Sequence, residues 1–292
     1  MLPARMELTQ VPFYPQELYQ CGPAALATVL NHHRRPVAPA TLVPQVYIPE
    51  RQGSLQIEMK VAARRYGLLA FEGPRSMEGL LTEIAVGRPV IVLQNLGFDI
   101  APQWHYAVVV GYDLGQQILI LRSGTERRLE TPFGLFERTW ARSGHWSLLA
   151  LPPSLLPRET RPATVIRAAL DIEPVDAVAA RATLRAAAER WPDHFLVNMA
   201  AGNAELGAGR ADSASARFRH ALRLQPMAAE AWNNLAYSLE GEGCRDQARS
   251  AIACAVRLAP DNPDLRDSFR ELSGTTTTDS GRCPPLPACP AQ

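Results

Sequence analysis

Pro192, Pro226 and Pro260 recur at a spacing of 34 residues, and the same residue sizes return at fixed distances before each of them. Ala187, Ala221 and Ala255 stand five residues back, Leu184, Phe218 and Ile252 eight back, and Ala180, Ala214 and Ala248 twelve back. Proline cannot continue a helix, so each one marks a helix end, and the small-large-small pattern before it describes a helix packed closely on a neighbour. Short repeated units of this kind bury a continuous core only when they are stacked. Trp232, Leu235 and Leu239 fill the first helix of the last unit. The first helix of the preceding unit keeps Gly202 but carries Glu205 where an aromatic is usual. Two full units, a leading helical pair over about 163–190 and a final helix to Leu272 are therefore expected.

The pattern resembles the tetratricopeptide repeat. The resemblance implies an all-α solenoid over residues 163–272 whose surface recruits a peptide or a protein partner; the repeats contain no catalytic constellation.

Before residue 152 the character differs, with short β-like runs alternating with helical segments. The stretch "LPPSLLPRETRP" (Leu151 to Pro162) separates the two parts, giving domains at 1–152 and 163–272, a linker at 153–162 and a disordered tail at 273–292. The chain is 47% hydrophobic and 20% charged, with a net charge of +1, so neither nucleic acid nor an anionic membrane is an expected partner. No run of about 18 apolar residues occurs, and no signal peptide is visible at the N-terminus. The localisation expected of the chain as it stands is cytoplasmic, or the cell envelope if a leader or lipid anchor was removed. Five cysteines, an odd number scattered over the chain, do not read as a disulfide framework. Cys283 and Cys289 lie in the Thr/Pro-rich tail, where metal binding or pairing with each other competes with no role at all. No cofactor or metal is expected.

The candidate chemistry lies in the first part. In "QELYQCGPAALATVL" Cys21 opens a helix, Gly22 removes side-chain bulk beside it, and Pro23 suits a first helical turn. A cysteine at a helix N-terminus is biased toward thiolate. The base it needs is His105, at the start of the strand "HYAVVVGYD"; "ILILRSG" is the strand that returns after the turn. His32 and His33 read as solvated or capping residues at the end of the first helix, His145 as a weak alternative, and His194 and His220 as parts of the repeats.

"VPFYPQELYQCGPAALATVL", followed by "HYAVVVGYD", resembles the bacteriocin-processing, double-glycine-leader cysteine peptidases, and more closely their stand-alone bacterial relatives fused to tetratricopeptide repeats. The resemblance implies an α+β papain-like cysteine peptidase domain in which Cys21 is the nucleophile and His105 the general base and acid. It also implies a glutamine whose amide joins the Cys21 backbone N–H in stabilising the oxyanion. That glutamine usually lies six residues before the cysteine, where Pro15 stands; Gln16 is the nearest equivalent, and Gln20, adjacent to the cysteine, should point away. The family's aspartate on the returning strand is replaced by Ser123, with Asp99 in reserve. Asp113 is eight residues along the strand from His105, about 26 Å, which is out of reach. The expected function is hydrolysis of a peptide bond in a peptide or protein substrate through a Cys–His thiolate–imidazolium pair. A non-catalytic peptide-binding adaptor is the alternative, and acyl transfer to an amine would use the same residues.

Overall fold

The alternating segments of the first half close into one antiparallel sheet with helices against it. The computed structural model describes residues 2–15, 20–51, 53–98, 100–274 and 283–291. The chain divides into two units, Met1–Thr164 with Pro174–Ala179 and Val165–Glu173 with Ala180–Gln292.

In the first unit β1 (Arg5–Glu7) leads to α1 (Cys21–His32) and α2 (Pro39–Val46), and a small hairpin of β2 (Tyr47–Ile48) and β3 (Gly53–Ser54) precedes α3 (Gln56–Arg65). Next come β4 (Leu69–Glu72), α4 (Met77–Ala85), β5 (Val90–Asn95), β6 (Trp104–Asp113), β7 (Ile118–Ser123) and β8 (Glu126–Pro132), then α5 (Phe133–Ala141) and β9 (Ser147–Leu151). The sheet order is β4-β9-β5-β6-β7-β8, with β1 pairing the far end of β6. All six residues of β5 are buried, which is why its first four, "VIVL", are apolar without alternation. Leu26 and Leu30 of α1, Leu42 of α2 and Met59 of α3 share one core with Ile91, Tyr106, Val108 and Ile120 of the sheet. Every residue of α1 from Gly22 to Leu30 is buried, so this helix is enclosed by the domain.

One irregularity decides what the sheet presents. The β6–β7 pairing runs from Asp113↔Ile118 to Gly111↔Ile120, then slips by one residue at Val110 and resumes at Val109↔Leu121 and Val108↔Arg122. Side chains alternate with period two, so a one-residue slip exchanges faces. Without the bulge Ser123 would stand opposite Val108. With it, the next step of the register brings Ser123 opposite Ala107, on the face that His105 shares.

The proline-rich stretch expected to be a free linker is tied to this unit. Leu156 is buried, its carbonyl accepts from Arg88 Nη1 at 2.8 Å, and the Arg158 N–H donates to Glu83 Oε1 at 2.6 Å. His32 and His33 are half-buried at the end of α1, with His33 as its C-cap residue, as the capping alternative expected.

The second unit is built on α6 (Pro162–Ile172), α7 (Ala177–Arg190), α8 (Phe195–Gly207), α9 (Ala211–Leu224), α10 (Ala229–Gly241), α11 (Arg245–Leu258) and α12 (Pro263–Ser273). The expected helical pairs and final helix are all present, and the three prolines follow α7, α9 and α11. Asn198 and Trp232, at equivalent positions of α8 and α10, do the same work: Asn198 Nδ2 donates to the Pro192 carbonyl at 2.6 Å and Trp232 Nε1 to that of Pro226 at 2.8 Å. Glu205 is buried but paired, with Arg210 at 3.3 Å and Arg181 at 3.9 Å, which accounts for a carboxylate at an apolar position.

The expectations for the cysteines are corrected here. Cys283 pairs with Cys244 and Cys289 with Cys254, so the tail cysteines bond to the repeats and not to each other. Among the described residues no cluster suited to a metal is found. Sequence spacing hid this because the partners lie 39 and 35 residues apart and only the fold brings them together.

Two predictions follow from the packing. A Cβ on Gly202 would lie 2.6 Å from the fully buried Phe218 ring, so Gly202→Ala should destabilise the repeat unit by about 1–3 kcal/mol, read from its urea midpoint. Burial, then His32, Arg88 and Arg35, lower the pKa of His33 from 6.5 to about 4, despite a bond to the Ala150 backbone that raises it. The folded state therefore disfavours the protonated ring: the stability His33 contributes is complete above 6.5 and is lost as pH falls from 6.5 toward 4. His33→Gln should flatten the fall in urea midpoint across that window.

Candidate active site

Cys21 is the first residue of α1, capped by Gln20 without a side-chain bond. Gly22 leaves room for another part of the fold. A Cβ there would lie 2.2 Å from Ser54 Oγ, so the glycine admits the β3 strand against the helix tip, and the space is already filled by protein. The Cys21 sulfur lies within hydrogen-bonding reach of the backbone N–H groups of Tyr106, Gly22 and Cys21 itself. Tyr106 follows His105 directly, so the thiol reaches β6 one peptide unit from the imidazole. Tyr106 is fixed in turn, its hydroxyl donating to the Ser54 carbonyl at 3.1 Å.

His105 is half-buried near the start of β6, in register with Gln94 of β5. Its Nε2 is 2.8 Å from Ser123 Oγ. Gln94 is held separately, donating to Thr139 Oγ1 at 2.6 Å. Asp113 sits at the other end of β6, 4.0 Å from Arg5 and accepting the Gln116 N–H. His145 bonds Glu137 at 2.7 Å, His194 caps α8, and His220 faces Asp193, so each of the three is engaged elsewhere. Gln16 and Asp99 lie outside the described residues. Gln20 lines a groove with Pro15, Ala24 and Pro39, on the side of α2.

The electrostatics correct the expectation of a resting thiolate. Burial pushes the Cys21 thiol above its ordinary value, and the three amides that pull it down do not offset this. Burial likewise lowers His105, and no carboxylate is among the causes acting on it. Both shifts favour the neutral thiol and neutral imidazole. The serine hydroxyl orients the ring but supplies no charge to hold an imidazolium.

A cleft of about 700 Å³ opens beside these groups, lined by Ser54, Leu55, Ile57, Trp104, Tyr106 and Arg142 among others. Trp104 and Ile57 are about half exposed on it, so the aromatic next to His105 is a wall of the cleft. Two of these contributors, Ser54 and Arg142, carried no signal in the sequence, since they come from a two-residue strand and a helix end that only the tertiary fold brings together.

Residues 8–148 match the family described as "Peptidase_C39 like family". A structure described as a C39-like peptidase from Bacillus anthracis is similar at 18% identity and a TM-score of 0.42, over 50% of this chain and 97% of that one. The peptidase domain of Streptococcus ComA, a bifunctional ABC transporter involved in quorum sensing, is similar at 20% identity and a TM-score of 0.41, over 49% and 99%. Over 39% of this chain and 93% of the other, the first tetratricopeptide domain of Spaghetti (RPAP3), bound to an HSP90 peptide, is similar at 11% identity and a TM-score of 0.36. No curated protein matches the sequence.

Because His105 is set by burial and a neutral partner, Ser123→Asp should raise its pKa, followed by the ring proton shifts in an NMR titration. Ser123→Ala should leave the direction of the shift unchanged while broadening the ring's orientation. A fall in pKa on introducing the aspartate would mean that residue 123 does not face the imidazole.

Proposed function

We propose that residues 8–148 act as a cysteine peptidase on a peptide or protein substrate. The observation that carries this is the His105 Nε2–Ser123 Oγ bond of 2.8 Å, formed at the point of β6 where the Cys21 sulfur meets the Tyr106 amide. With Nε2 engaged by Ser123, Nδ1 is the nitrogen left to take the Cys21 proton. The sulfur then attacks the substrate carbonyl, and His105 returns the proton to the leaving amine. Water, deprotonated by the same ring, releases the acyl group. The Cys21 N–H at the head of α1 stabilises the oxyanion, joined by Gln16. Starting from neutral partners, proton transfer accompanies attack, and substrate that excludes water from the cleft stabilises the charges as they form. The second unit recruits the substrate or a partner through its helical surface.

A second reading, a peptide-binding adaptor without turnover, is favoured by the raised thiol and the lowered imidazole. The two readings separate on a peptide library incubated with wild type, Cys21→Ala and His105→Ala. For the peptidase, Cys21→Ala abolishes cleavage and His105→Ala lowers it about 10²–10⁴-fold. If wild type cuts nothing, and Cys21 is alkylated by iodoacetamide at neutral pH no faster than in His105→Ala, the adaptor reading stands.

A further inference from the structure

The tail segment 283–291 lies against the repeat helices of its own chain. It reads "CPPLPACPA", and proline leaves its carbonyls without competing N–H donors nearby. Arg219 of α9 answers these carbonyls, with Nη2 at 3.2 Å from Pro284 O and Nη1 bonded to Pro285 O. Arg257 of α11 donates to Pro290 O at 3.2 Å. Between them Cys283, Leu286 and Cys289 pack on the apolar core of the repeat unit. The receiving cysteines are buried, Cys244 at 2% exposure before α11 and Cys254 at 3% within it.

We infer that the α9–α11 face is a groove for a proline-rich segment, filled by residues 283–291 as a redox-gated strap that two disulfides close. Closure turns Cys244 and Cys283 from two thiols into one S–S bond with loss of two protons and two electrons. A disulfide-bearing oxidant accepts them and leaves as a dithiol; Cys254 and Cys289 repeat the exchange. The strapped form therefore belongs to an oxidising compartment, and a reducing one opens it. Cys21 is compatible with such surroundings, because its raised thiol pKa keeps the attacking thiolate scarce. None of this rests on the peptidase reading.

The test uses the full chain made under oxidising conditions, alkylated without denaturant and mapped by mass spectrometry before and after mild reduction. The expected map shows linked peptides 244–283 and 254–289, with Cys21 as the one free thiol. After reduction all four strap thiols should label, and the melting temperature of the repeat unit should fall by on the order of 10 °C. The variant Cys283→Ser with Cys289→Ser should melt at the lower temperature and ignore reductant. A free thiol at Cys244, Cys254, Cys283 or Cys289, or any other pairing of these four, in the oxidised protein would overturn the strap. So would Cys244 and Cys254 staying unlabelled after reduction, or a double variant that still responds to reductant.

Discussion

The α1 tip packs tightly against β3, and the candidate site depends on that contact. Gly22 has no side chain because Ser54 occupies the space one would need. That contact brings the helix N-terminus down to the strand carrying His105, and the Ser54 carbonyl holds the Tyr106 hydroxyl at the same point. Cys21 is thereby placed against a backbone amide of β6 by packing alone, without help from a side-chain cap. The same closeness removes water from the sulfur, so the geometry that positions the thiol also raises its pKa. Placement and activation pull in opposite directions here, as they do wherever a nucleophile is buried to be oriented.

Much of this was legible because it rests on local rules. Period and proline position fixed the helical pairs of the repeats, since each helix needs the same close contacts at every turn of the stack. Cys21 and His105 were readable from short motifs at a helix start and a strand start. Ser123 follows from the resemblance, as the residue standing where the family's returning strand carries an aspartate. What that reading missed was the bulge at Val110, a backbone adjustment that no residue type announces, since valine is equally at home in a regular strand. The ionisation of the site was misread for a related reason: a helix N-terminus is visible in sequence, whereas burial of its tip depends on β3, two residues long and 32 positions downstream.

The cysteines show the converse. Composition treated five scattered thiols as independent, and the proline-rich tail as unstructured, because low hydrophobicity removes the ordinary reason to fold. Two covalent bonds change that balance, holding a segment that its apolar contacts alone would not retain. The repeat unit thus combines a part whose order comes from periodic packing with a part whose order comes from oxidation chemistry.

The half-step in the β6–β7 ladder has a consequence for how this hairpin can vary. A change that removes the extra residue at Val110, or adds another beside it, rotates everything beyond it by half a pleat and turns the Ser123 hydroxyl away from the imidazole. Two such changes together restore the phase. Length variation in this part of the strand pair is therefore constrained by parity more than by size.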